Sequence, residues 1–200
     1  MRNGTVQIAQ NFTVDHVLAG KAIRLPMGST GAYGSPYLSV VDLMKRWPEH
    51  PNRREIVMVT DGIDRARRTS RSRLEPISPD VDYASAVAQR TGTIVHTIYF
   101  PGVGRMHHNF WEANNGQNGI AKLSDETGGE SFAQGTESPV SFAPYLKQLD
   151  MILHNQYFLT FTTARSKGKK GELRNFRVET EERNADISHA SAVWVPGTPK

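Results

Sequence analysis

Asp61 and Thr30 are the residues whose type and setting best suit chemistry. Asp61 lies in Thr60-Asp61-Gly62-Ile63-Asp64, directly after the most hydrophobic strand-like run, and Thr30 lies in Gly28-Ser29-Thr30-Gly31, shortly before a helix start. A carboxylate at a strand end and a hydroxyl on a neighbouring loop are hard oxygen donors, of the kind that suit Mg²⁺ or Mn²⁺. Each also has a plainer reading. Asp-Gly is a common turn pair that needs no metal, and a threonine ahead of a helix serves as a hydroxyl at its approach.

Other polar groups compete for attention. Arg65, Arg67, Arg68, Arg71 and Arg73 crowd one loop with Thr69, Ser70 and Ser72 between them. That loop reads either as an anion-binding patch or as a solvated polar surface. No aromatic residue interleaves it, which disfavours a stacking platform for nucleic acid. His107 and His108 sit beside Trp111 and Glu112 in a Gly- and Asn-rich stretch. Adjacent histidines do not project together from a regular element, so the stretch reads as a partner-contact loop rather than a metal site. His96 alternates within a strand and reads as a packed residue.

Enzyme signatures are weak. Gly102-Val103-Gly104 lacks the third glycine and the strand-to-helix setting of a dinucleotide fingerprint. No Gly-x-Ser-x-Gly elbow occurs. Asp61-Gly62 resembles the end of the Asp-x-Asp-Gly pattern of haloacid dehalogenase-like phosphate-ester hydrolases, whose nucleophile comes first, and Val59 stands at that position here.

The elements that must position these groups follow from hydrophobic period. Residues 5–12 alternate as a strand, and 17–25 read as a second extended stretch. Ser35-Pro36 starts a helix with an apolar stripe of Leu38, Val41, Met44 and Trp47, stopped by Pro48. Ile56-Val57-Met58-Val59 is a strand apolar on both sides, as in a parallel sheet. A polar loop over 65–79 leads to a helix over 80–91, then a strand over 93–100 and a long loop over 101–119. A short helix over 120–127 ends at Gly128-Gly129, followed by a short strand over 130–134 and a helix over 144–155. Strands over 157–163 and 173–181, with a third at 192–195, close the chain. Strand–helix alternation argues for a doubly wound, mostly parallel α/β sheet with helices on both faces and a C-terminal β appendage. The division falls at residues 1–156 and 157–200, the second an extension of the first.

Composition narrows the class. The 200 residues are 38% hydrophobic and 22% charged, enough for a core and too apolar for wholesale disorder. No cysteine is present, which excludes disulfides and thiolate sites. A net charge of +4 permits an acidic partner without requiring one. No apolar run approaches a bilayer span, and the first residues do not read as a signal peptide.

The run Arg54-Glu-Ile-Val-Met-Val-Thr-Asp-Gly-Ile-Asp64 resembles the fourth strand and following loop of a von Willebrand factor A domain. Gly28-Ser-Thr-Gly-Ala-Tyr33 is similar to that family's loop carrying the metal-site threonine. Gly119 to Glu130 resembles the family's next helix and turn, and Tyr157-Phe-Leu-Thr-Phe161, Phe176-Arg-Val178 and Val193-Trp-Val-Pro196 are similar to a bacterial subgroup common in Acidobacteria. The resemblance spans about residues 4–196. It implies a protein-binding, adhesion-type module, not an enzyme, in which Thr30 and Asp61 hold Mg²⁺ or Mn²⁺ and Ser29, Gly62 and Asp64 border the site. An acidic side chain of another protein would complete the metal, with extracellular or periplasmic placement. The family's Asp-x-Ser-x-Ser loop has no counterpart here, so the metal site reads as incomplete and the sequence as lacking a first strand before Gly4. A metal-independent interaction domain is the alternative, and behind it a metal-dependent phosphate-ester hydrolase using Asp61.

Overall fold

Arg54–Thr60 forms β1 and Thr93–Tyr99 forms β2, and the two pair in parallel from Arg54 opposite Thr93 to Thr60 opposite Tyr99. The computed structural model describes residues 7–23, 34–49, 52–66, 77–101, 110–133, 139–166 and 170–198. Ser131–Phe132 forms β3 and extends the sheet beside β2, again in parallel, in the order β1-β2-β3. Both connections are helical crossovers, as parallel neighbours require. The molecule is a mixed α/β protein.

Helices α2 (Pro36–Arg46), α3 (Pro79–Thr91) and α4 (Phe110–Thr127) cover one face. There Tyr37, Val40, Val41 and Met44 of α2 meet Ile56 and Met58, with Val81, Ala84, Ala88, Val95, Tyr99, Ile120 and Leu123 completing the cluster. The buried stripe of α2 is thus Tyr37, Val40, Val41 and Met44. Leu38 is exposed, and Trp47 lies at the C-cap, partly buried against the cluster. Helix α5 (Ala143–His154) covers the other face, where Tyr145 and Leu149 pack on Ile98 and Phe132. Serine caps with proline next in chain start α2 and α3, as their sequences dictate.

Several elements differ from the sequence reading. Residues 7–12 form no strand, and 17–22 of the stretch read as extended are helical, within α1 (His16–Ala22). The Asp15 carboxylate explains the change, accepting from the amides of Val17 and Leu18. The loop expected over 101–119 contains the first half of α4, which begins at Phe110. Its small residues compensate for poor helix propensity by allowing close packing, as shown below. The strand expected over 157–163 is absent, because a strand needs a ladder and β4 (Glu172–Asn175) pairs instead with β5 (Ala192–Val195). Arg174 of β4 reaches that segment only through its side chain, donating to Thr163 Oγ1 and Ala164 O. β4 stops well short of residue 181. The Val178 amide donates to His189 Nε2 rather than to a backbone carbonyl.

The β4–β5 pair docks on the helices. Val195 and Ala192 are buried, and Arg90 lies over the Trp194 ring at 4.5 Å. The Glu126 carbonyl, in the last turn of α4, accepts from Gln89 Nε2 at 2.8 Å and from the Ser191 amide at 3.1 Å.

His96 is fully buried on the α5 face of β2. Its Nδ1 accepts from the Glu130 amide at 3.0 Å, which assigns the ring proton to Nε2, 3.5 Å from Glu55 Oε2. Burial depresses its pKa against the opposing pull of Glu55. A depressed folded-state pKa means the unfolded chain binds the proton first. Its stabilisation is complete above about pH 6.5 and is lost as pH falls toward the folded-state value. Urea unfolding between pH 7.5 and 5 should show falling stability, and His96→Gln should flatten that slope.

Candidate functional site

Asp61 to Arg65 leave β1 at its carboxyl end, where ligands of open parallel sheets bind. The turn is shaped by its own polar groups. Thr60 Oγ1 accepts from the Gly62 amide and Asp61 Oδ1 from the Ile63 amide, both at 3.1 Å. Asp64 Oδ1 accepts from the Ala66 amide at 3.0 Å, and its Oδ2 from Ser78 Oγ at 2.6 Å. Ser78 is also the N-cap of α3, so one hydroxyl ties the loop to that helix.

Two helices clamp the loop from the sides. Tyr37, in the first turn of α2, donates its hydroxyl to Gly62 O at 2.7 Å in a buried contact. Burial first, then the charges of Asp64 and Asp61, push its phenol well above the ordinary range. The neutral phenol is therefore the donor at any working pH. On the other side α4 passes so close that a β carbon on Gly116 would lie 2.1 Å from Asp61 O. One on Gly62, which has a φ of 69°, would lie 2.2 Å from Gly116 O. Gly119 is pressed likewise against the Tyr37 hydroxyl.

The Asp61 carboxylate faces a cation supplied by the chain. Arg65 Nη2 lies 2.5 Å from Asp61 Oδ2 and its Nη1 lies 3.3 Å from Oδ1, a two-pronged pair. The side chains are only 12% and 19% exposed. The Arg65 amide also donates to Gly34 O at 3.1 Å, bracing the loop against the approach to α2. Tyr99, at the end of β2, is buried close enough for the Asp61 charge to help burial raise its phenol, with Gln117 opposing.

The structure therefore brings Asp61, Gly62, Asp64 and Arg65 together. Arg65, read from sequence as a partner-contact residue, is turned inward onto Asp61. Trp111 stands on the first turn of α4, 72% exposed, its ring edge-on to that of Phe110. Ser29, Thr30, Arg67, Arg68, Arg71, Arg73, His107 and His108 lie outside the described residues. Among the described residues no group of three His, Cys, Asp or Glu side chains is arranged to hold a metal ion. Among the described residues the Asp61 carboxylate is engaged by Arg65. Tyr37, Ser78, Gly116 and Gly119 were not singled out from the sequence. The available signal was the helical spacing of Ala113, Gly116, Ile120 and Leu123, which continues a small-residue face into an apolar one.

Fold and site together define an α/β protein with a braced acidic loop at the carboxyl end of a parallel sheet. No family model, curated protein or solved structure matches the chain.

Gly116→Ala should destabilise the protein by about 1–3 kcal/mol, the usual cost of forcing extra volume into a filled contact. Gly20→Ala in α1, where a β carbon would meet nothing within 4 Å, should be neutral or slightly stabilising. Paired denaturant titrations check both.

Proposed function

We propose that this chain is a protein-binding module of the von Willebrand factor A kind, whose contact face is the carboxyl end of the sheet around Asp61. The observation that carries this reading is the placement of Thr60-Asp61-Gly62 at the end of parallel β1, locked by Tyr37 of α2 and Gly116 of α4. A loop so held presents fixed groups to a partner at little ordering cost. The exposed Phe110 and Trp111 supply apolar contact area of the type that anchors interfaces.

Two forms of the module differ in what neutralises Asp61. In the form implied by the resemblance, Thr30 and Asp61 share Mg²⁺ or Mn²⁺, and an acidic side chain of the partner completes the metal. The Arg65–Asp61 pair favours the second form, in which the guanidinium supplies the positive charge and binding needs no metal. A divalent ion would have to displace that guanidinium.

Thermal melts in chelator and in millimolar Mg²⁺ or Mn²⁺ separate the two forms. An ion at 100 times its dissociation constant adds about 2.7 kcal/mol of stability. The metal-independent form predicts no shift in the parent. Arg65→Ala should lose about 1.5–3 kcal/mol in chelator, the scale of a hydrogen bond to a charged group. It should also gain a metal-dependent shift that Asp61→Ala abolishes. A shift already present in the parent, absent in Asp61→Ala, would establish the metal form. Equal metal response in all three proteins would remove Asp61 from either role.

A further inference from the structure

We infer that His96 is the trigger of an acid-sensitive clasp: its neutral ring holds the turn between α4 and β3 on β2, and protonating it releases that turn together with the β4–β5 pair. The inference is independent of the reading of Asp61. Residues 127–130 are tied to β2 by named bonds. Thr127 Oγ1 accepts from the Val95 amide at 3.1 Å, His96 Nδ1 from the Glu130 amide at 3.0 Å, and Glu130 O from the Thr97 amide at 2.9 Å. Of these, only the bond to His96 depends on a group that titrates near neutral pH. A neutral imidazole accepts at one nitrogen, whereas an imidazolium carries a donor on both. Protonation therefore sets donor against donor at Nδ1, on a side chain with no exposure. The Glu130 amide must then leave β2 to find another acceptor.

The other ring nitrogen brings the cation within reach. Nε2 lies 3.5 Å from Glu55 Oε2, and among the described residues neither atom has a hydrogen bond. A protonated ring can close on that carboxylate, while Arg53, ion-paired with Glu55 Oε1, opposes the added charge. From the α5 face the one buried titratable group is the Tyr145 phenol. On the turn itself the Glu130 carboxyl is pushed up by burial, then by the charges of Asp125 and Asp186. Acid relieves that repulsion and works against release. Burial holds the His96 ring below its ordinary value, so release falls below about pH 6.5.

The same turn seats the C-terminal pair. A β carbon on Gly129 would lie 2.1 Å from Val95 O, and one on Gly128 2.6 Å from the Ala190 amide nitrogen. The turn is thus pressed between β2 and the segment that leads into β5. Ser188 Oγ donates to Gly128 O at 3.4 Å, and the Ser191 amide to Glu126 O at 3.1 Å. A turn that lifts from β2 disturbs both contacts, so the ring is coupled to the β4–β5 pair without touching it. His189, in that segment, accepts from the Val178 amide through Nε2 and is the rival origin of an acid effect.

Hydrogen exchange of the full chain at pH 7.5 and 5.5, corrected for the intrinsic pH dependence of exchange, tests this. Protection of residues 124–133 and 188–195 should fall together by roughly tenfold, the scale of a buried donor left without its acceptor. Residues 54–60 of β1 should keep theirs. The His96 ring resonance should titrate with the same midpoint. His96→Gln, whose amide oxygen can accept from Glu130 without titrating, should keep both segments closed at both pH values. Glu55→Gln should move the midpoint to lower pH, and His189→Gln should leave it in place. The ring titration and Glu55→Gln decide the matter should His96→Gln not fold. Unchanged protection, loosening of one segment alone, equal loosening of β1, or an unmoved midpoint in Glu55→Gln would each overturn the proposal. So would a transition that survives His96→Gln or vanishes in His189→Gln.

Discussion

Backbone meets backbone where the loop after β1 crosses α4, and the placement of the acidic residues rests on that crossing. Neither Gly62 nor Gly116 has room for a β carbon, so the helix axis lies as near the loop as covalent geometry allows. The approach puts Gly119 of the same helix against the Tyr37 hydroxyl, which in turn holds Gly62 O. Sheet end, α2 and α4 are thereby fixed to one another through one backbone crossing and the two contacts of the Tyr37 hydroxyl. The Asp61 carboxylate inherits its position from this frame.

Charge at the loop is balanced locally. Arg65 follows Asp61 by four residues and returns to it with both prongs of the guanidinium. Asp64, three residues away, spends its oxygens on the Ala66 amide and Ser78. Two carboxylates this close to a buried phenol would otherwise repel each other in a poorly hydrated space. The pairings give both carboxylates partners from within the chain. They also make any incoming ligand a competitor for bonds already made.

Much of this architecture was legible in the sequence, and the rest was hidden for physical reasons. The run Ile56 to Val59, the Ser35-Pro36 start and the Gly128-Gly129 stop are local signals, and each element lies where they put it. The first half of α4 was not legible because Asn114, Asn115, Gly116 and Gly119 are poor helix formers whose merit is closeness to a loop far away in sequence. Helix α1 was hidden behind apolar residues that suggested a strand, although Asp15 was a sufficient cap. Tyr157–Thr163 has the composition of a strand without the neighbour that makes one. Of the site, Asp61, Gly62 and Asp64 were visible as a strand-end acidic turn. The inward turn of Arg65 depended on tertiary geometry that no spacing rule reports.

The docking of the β4–β5 pair ties two distant parts of the chain into one unit of unfolding. The last carbonyls of a helix have no partner within it, and the Glu126 carbonyl of α4 takes its bonds from Gln89 of α3 and Ser191 beside β5. Fraying at the end of α4 and release of the appendage are therefore a single opening event rather than two. Amides of Ser191 and its β4–β5 neighbours should share their opening free energy with the last turn of α4, across more than sixty intervening residues. The C-terminal segment thus acts as the cap that keeps the longest helix closed.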